Sequence, residues 1–301
     1  DSDTVGDFYF FCFAKIYPTH CLTWAIAFII GAISIYQYKL WSSNLLLLNT
    51  WFDDVRYFFV GNRPSWSLCI EAMFYLSFPF LFRIMKAIPE KYDFLGLIAV
   101  TAASFLVQMS IYSWVEPNKM MGAFPISQHH FWMSYIFPPA RIFEFLAGMF
   151  AARLLINGRE IMLPKITSLA LLVATYIGSM YIPFQFSMSV VFIIPVCLLI
   201  TSLAGDDLKT RKTVFNHNTS VWLGEISYAF YMVHFLVLFY FLNLTAGRKF
   251  DLVEGGGLIV VTLILSIACA SFVYKYFEVP MMKIILVKFR TKKLISIRES
   301  S

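Results

Sequence analysis

Charge is what this 301-residue sequence has least of. Only 14% of its residues are Asp, Glu, Lys or Arg, against about 25% in soluble domains. Hydrophobic residues make up 59%, and the mean hydropathy is +0.70. A soluble chain of this length has no way to hide so much apolar surface, because much of any folded surface faces water. Lipid removes the difficulty, so the chain reads as an integral membrane protein with the bilayer as its first partner. The net charge of +6 does not indicate nucleic acid. The basic residues sit at the ends of apolar runs, where membrane topology places them.

Cysteine is scarce and poorly spaced for chemistry. Cys12, Cys21, Cys69, Cys197 and Cys269 lie in or beside apolar runs. No CxxC or Cys/His ligand spacing occurs, so neither a disulfide framework nor a zinc site is indicated. The sequence also lacks a Gly-rich phosphate loop, HExxH, GxSxG and any carboxylate cluster suited to a metal. Repeats and low-complexity segments are missing as well. No basic segment precedes an apolar core as in a signal peptide. The chain opens on Asp1-Ser2-Asp3 rather than Met, so residues upstream are expected.

What the sequence has is long apolar runs. A membrane span needs about 20 mainly apolar residues, and eight segments qualify: His20–Tyr38, Trp66–Met85, Phe94–Trp114, Ile136–Ile156, Leu163–Ile182, Phe184–Leu203, Val221–Leu244 and Gly256–Glu278. The predicted fold is a single all-α membrane domain over 1–301, a polytopic bundle of about eight helices, with a basic cytoplasmic tail at 281–301. The tail carries Lys283, Lys288, Arg290, Lys292, Lys293 and Arg298. Placing it inside puts both termini in the cytoplasm. About 16 basic residues, Arg211 and Lys212 among them, then face inward and about 6 outward, as the positive-inside rule requires.

Ionisable groups within a span cost about 2.5–3.5 kcal/mol on insertion scales, which makes each a functional suspect. Three constellations stand out. Ser67, Glu71 and Tyr75 are spaced i, i+4, i+8 behind Trp66, so they share one helix face. Glu71, about one turn below the outer surface, is placed to exchange a proton or orient a substrate hydroxyl. Its structural alternative is to cap its own helix or pair with Arg63. Arg141 and Glu144 are i, i+3 neighbours that form either an architectural ion pair or a grip on phosphate or carboxylate. Ser227, Tyr231 and His234 make a polar stripe beside Tyr228. The stripe serves either acid–base chemistry at His234 or interhelical hydrogen bonding. Glu278, before Pro280, reads as a snorkelling helix-end residue. His129-His130 lies in an aromatic-rich outer loop, where it either touches a substrate or is ordinary surface.

Five segments, in order, resemble the acyltransferase 3 family of polytopic membrane acyltransferases, which includes O-antigen acetylases. Trp66-Ser-Leu-Cys-Ile-Glu71-Ala-Met-Phe-Tyr75 with Pro79 is similar to its WSLxxE-xxFY-xxxP signature. Lys15-Ile16-Tyr17-Pro18 resembles R-I-Y-P, and Arg141-xx-Glu144-Phe145-Leu146-Ala-Gly148 resembles R-xx-E-F-xx-G. Leu223 through His234 resembles LGxISYxxYxxH, and Tyr276-Phe-Glu278-Val-Pro280 the closing R-x-x-E-x-P, with Lys275 as its basic residue. The resemblance implies an enzyme without a bound cofactor. It moves an acyl group, often acetyl, from acyl-CoA to a hydroxyl of a glycan, lipid or small molecule. A bacterial inner membrane is implied too.

On that reading Glu71, Ser67 and His234 are catalytic candidates. Trp66, Tyr75, Arg141, Glu144, Ser227, Tyr228 and Tyr231 are substrate-binding candidates. The family's first two spans, with the histidine of an R/K-x10-H motif, have no counterpart in the sequence. The one such spacing, Lys119 to His130, lies in a loop and reads as coincidence. Two rival functions remain at this stage: a carrier or flippase for a lipid-linked sugar, and an inactive family scaffold.

Overall fold

The computed structural model describes residues 4–31, 36–122, 124–159, 163–209 and 214–299. Asp1-Ser2-Asp3, Arg211 and Lys212 lie outside the described residues, as do the side chains of Arg290, Lys292, Lys293 and Arg298. The described chain is helical, with one isolated β-bridge between Met120 and Ser127.

Five helices are long and apolar enough to cross a membrane: Ser65–Ala87, Glu90–Trp114, Val190–Leu208, Ser227–Leu244 and Leu252–Phe289. A sixth apolar helix, Lys165–Ser179, is shorter. Against eight expected spans, two of the differences have clear physical causes. The segment expected to cross at His20–Tyr38 is helical over Val5–Ile29 instead. Thr4 and Asp7 form a capping box that sets the start, and the helix carries Pro18 within it, as apolar helices tolerate. The segment expected at Ile136–Ile156 is α-helical only from Ile142. Pro138 and Pro139 interrupt it, leaving a π-turn at Trp132–Ile136 and extended backbone at Phe137.

Large apolar side chains cover the outer faces, Phe80, Leu106, Ile166 and Ile259 among them. Hydroxyls on the helices donate back to carbonyls one turn earlier, as Thr101 does to Leu97, Ser110 to Leu106 and Thr262 to Leu258. This back-bonding satisfies the hydroxyl within its own helix, which hydrocarbon surroundings demand.

The residues form two compact units. The first comprises 1–49, 59–68 and 217–301. Its core joins Ile226, Ala229 and Val233 to Ala270 and Val273, where alanines let helices approach closely. The Leu252–Val273 helix, capped by Asp251 and Glu254, continues through a π-turn at Tyr274–Glu278 into Val279–Glu299. Phe289 there stacks on Phe10 at 3.8 Å.

The second unit comprises 50–58 and 69–216. Its core gathers Met85, Leu97, Phe150, Leu154, Phe186 and Ile193. Asp93, fully buried, is ion-paired with Arg153, which also donates to the Ile88 carbonyl at 3.0 Å. Buried amides link the same unit: Gln185 donates to the Gln108 carbonyl at 2.9 Å, and Gln108 to the Ser134 carbonyl at 3.0 Å.

Candidate functional site

In the first unit, Ser67 and Tyr231 come together across 164 residues. Their hydroxyl oxygens lie 2.8 Å apart, and each is 3.1 Å from the carbonyl of Pro64. A carbonyl oxygen has two lone pairs, so either both hydroxyls donate to Pro64 or one donates to it and the other to its neighbour. Both protons are committed in either arrangement, and exchanging the two arrangements changes no bond count.

This contact also anchors the start of the Ser65–Ala87 helix. Asn62 and Ser65 there are fully buried. Asn62 donates to the Met232 carbonyl at 2.8 Å. Tyr231 lies one turn inside the Ser227–Leu244 helix. Ser67, in the first turn of the Ser65–Ala87 helix, meets it there.

His234 follows Tyr231 by one turn. Its Nδ1 lies 2.8 Å from the Tyr231 carbonyl and 3.2 Å from that of Phe230. Both are acceptors, so Nδ1 carries the proton and the neutral ring's lone pair sits on Nε2. A half-buried imidazole is thus oriented by its own helix, its ring 5.8 Å from that of Tyr231.

The rest of the predicted stripe diverges. Tyr228 donates to the Ile16 carbonyl at 2.7 Å, tying the His234 helix to the Lys15–Pro18 segment. Ser227 is exposed and lines a cavity of about 280 Å³ with Lys15, Glu225, Tyr228, Tyr274 and Glu278. Glu278 is not a snorkelling helix end. It is 8% exposed, within a continuous helical run, and its Oε2 has no hydrogen-bond partner.

Sequence reasoning missed a buried polar network in this unit. His20 Nε2 is 3.1 Å from the Asn44 carbonyl, Asn44 donates to Ser65 at 2.6 Å, and Ser65 to the Asn62 carbonyl at 2.6 Å. His20, Asn44, Asn62 and Ser65 are all fully buried. His20 was absorbed into an expected span edge, and asparagines between spans look like ordinary loop residues.

The second unit holds the remaining candidates. Tyr75 donates to Glu71 at 3.4 Å, as the i, i+4 spacing predicts. Arg141 donates to Glu144 through Nε at 2.9 Å, reaches the Tyr135 carbonyl at 3.4 Å and lies 4.4 Å from the Tyr135 ring centre. Its charge is therefore engaged on several sides. Trp66, in the first unit, is half-buried, and Arg63 stacks on Phe235 at 5.2 Å.

Comparison with known proteins agrees with the motif order. The acyltransferase 3 family model, described as an acyltransferase domain, matches residues 3–271. An acyltransferase of Streptomyces mycarofaciens, MdmB, is 30% identical over 297 residues, covering 95% of this chain and 76% of that protein. No solved structure matches significantly.

Proposed function

We infer from its membership that this chain, which belongs to the acyltransferase 3 family, is an acyltransferase that moves an acyl group, acetyl in the simplest case, from acyl-CoA to an acceptor hydroxyl. The observation that carries the mechanism is the fixed tautomer of His234 beside the Ser67–Tyr231 pair. A neutral imidazole with its lone pair on Nε2 is the form that takes a hydroxyl proton.

In this reading the acceptor hydroxyl gives its proton to Nε2 while its oxygen attacks the thioester carbonyl carbon. The carbon–sulfur bond then breaks, and the CoA thiolate leaves and recovers the proton. The Ser67–Tyr231 pair reorients toward the oxyanion, since either hydroxyl can release the other's proton without leaving Pro64 unserved. Glu71, one turn along the helix from Ser67 and hydrogen-bonded to Tyr75, orients the acceptor. Trp66 in the first unit, and Tyr75 with the Arg141–Glu144 pair in the second, are the remaining substrate-binding candidates. The cavity lined by Lys15, Ser227, Tyr228 and Glu278 takes the donor's thioester arm.

Donor and acceptor arrive from opposite faces in this reading, with both termini cytoplasmic in a bacterial inner membrane. A glycan or lipid hydroxyl is the acceptor class. The test supplies [14C]acetyl-CoA to membranes containing the protein and follows label into a base-labile ester together with release of free CoA thiol. Acceptor movement across the membrane without acetyl-CoA consumption would instead identify a carrier. Donor binding with no turnover would identify a scaffold.

A further inference from the structure

We propose that Asn62 is a positioning residue for acyl transfer. Its side-chain amide clamps the turn that precedes Ser67 to the helix that carries Tyr231 and His234, and so sets the Ser67–Tyr231 contact. Its effect on transfer rests on the acyltransferase reading; the clamp itself does not.

The clamp lies wholly within the first unit. Asn62 Nδ2 donates to the Met232 carbonyl at 2.8 Å, 170 residues away in sequence. The Pro64 carbonyl lies 3.1 Å from the Tyr231 hydroxyl, and the Ser67 hydroxyl 2.8 Å from it. Residues 62–67 are therefore tied to Tyr231 and Met232 by an amide bond and by bonds of two hydroxyls. The two hydroxyls are the groups that reorient toward the oxyanion in the proposed reaction. The Asn62 bond uses neither of them, so it holds the two segments in register while they turn.

The chain is shaped to present Asn62. Gly61 has a φ of +67°, the left-handed region that glycine enters without strain. The Asn62 carbonyl then accepts from the Ser65 amide at 2.9 Å and the Ser65 hydroxyl at 2.6 Å. Ser65 Oγ accepts in turn from Asn44 at 2.6 Å, and His20 Nε2 lies 3.1 Å from the Asn44 carbonyl. The turn is thus backed by the helices Val5–Ile29 and Tyr38–Leu45.

Stability alone is a poor account of this residue. Asn62 is fully buried, and its Oδ1 has no hydrogen-bond partner. An apolar side chain of the same shape would fill the space without stranding an acceptor. What it would lack is the donor to Met232. That carbonyl lies inside the Ser227–Leu244 helix, whose backbone serves one of its two lone pairs. The Asn62 bond answers no unmet need of the helix; it fixes where the turn stands against it.

The test uses the full chain with Asn62→Leu, which nearly keeps the side chain's shape but donates nothing. In micelles, Ser67→Ala should lower the thermal unfolding midpoint of the otherwise wild-type protein. In Asn62→Leu the same change should shift the midpoint less than half as far, because the contact it removes is already loosened. In membranes with [14C]acetyl-CoA, Asn62→Leu should lower kcat at least tenfold and leave KM for acetyl-CoA within twofold. Asn62→Ser shortens the arm and keeps a polar group; it should reproduce both effects and replaces Asn62→Leu if that variant does not fold. Equal midpoint shifts by Ser67→Ala in both backgrounds, or wild-type kcat in a folded Asn62 variant, would overturn the proposal. Should the wild-type protein transfer no acetyl group, the acyltransferase reading falls, and the midpoint comparison alone decides the clamp.

Discussion

The hydroxyls of Ser67 and Tyr231 lie 2.8 Å apart and share one carbonyl, that of Pro64. This triangle fixes two motifs that the chain separates by 164 residues. It also makes an unusual mutational pattern. Ser67→Ala leaves Tyr231 donating to Pro64, and Tyr231→Phe leaves Ser67 doing the same. Each single change removes one hydroxyl bond, about 1 kcal/mol, and the double variant loses both. Because the two hydroxyls touch and share one acceptor, the two costs should depart from additivity by about 0.5 kcal/mol or more, measured as unfolding free energies in micelles. A double variant no less stable than either single would mean that only one bond exists.

Glu71 offers a second test. Glu71→Gln keeps the length and the contact with Tyr75 but removes the charge. If Glu71 orients the acceptor, kcat/KM for the acceptor should fall roughly 100-fold while KM for acetyl-CoA stays within twofold. Unchanged transfer would remove Glu71 from the mechanism.

Architecture is probed at Asp93 and Arg153. Arg153→Met strands a buried carboxylate and should cost about 3–5 kcal/mol of stability, seen as a lowered unfolding midpoint. Asp93→Asn should cost less, because Arg153 keeps the carbonyls of Met85 and Ile88. Equal losses would show that the carbonyl contacts carry no weight.

Gly96 tests the packing of the same unit. A side chain there would collide with the Phe150 ring, whose nearest atoms fall well inside contact distance of an added Cβ. Gly96→Ala should destabilise by about 1–3 kcal/mol, and pairing it with Phe150→Leu should recover part of the loss in the same melting assay.

Much of this was legible in the sequence, and the boundary is instructive. Apolar runs located Ser65–Ala87 and Asp93–Trp114 to within a residue or two, because period and length act locally. The i, i+4 relation of Glu71 and Tyr75 was equally local. The residues behind the Thr4 capping box and the break at Pro138 and Pro139 stand in the sequence as well. They were outweighed by average hydropathy, which reads residue type and not backbone geometry.

What the sequence hid is long-range pairing. Asp93–Arg153, Asp53–His129 and Asn62–Met232 join residues 60, 76 and 170 apart, and no periodicity encodes them. Glu278 looked like a helix end because Pro280 follows it. The helix instead passes through a π-turn and continues, which turns a snorkelling residue into a buried one.

The central claim is that the neutral His234 imidazole accepts the acceptor's proton, and His234→Gln tests it most directly. The glutamine amide nitrogen can donate to a backbone carbonyl, but no basic nitrogen remains. With [14C]acetyl-CoA supplied to intact protein in membranes, initial ester formation should fall at least 100-fold, at unchanged protein level and unfolding midpoint. Transfer within twofold of wild type would contradict the account.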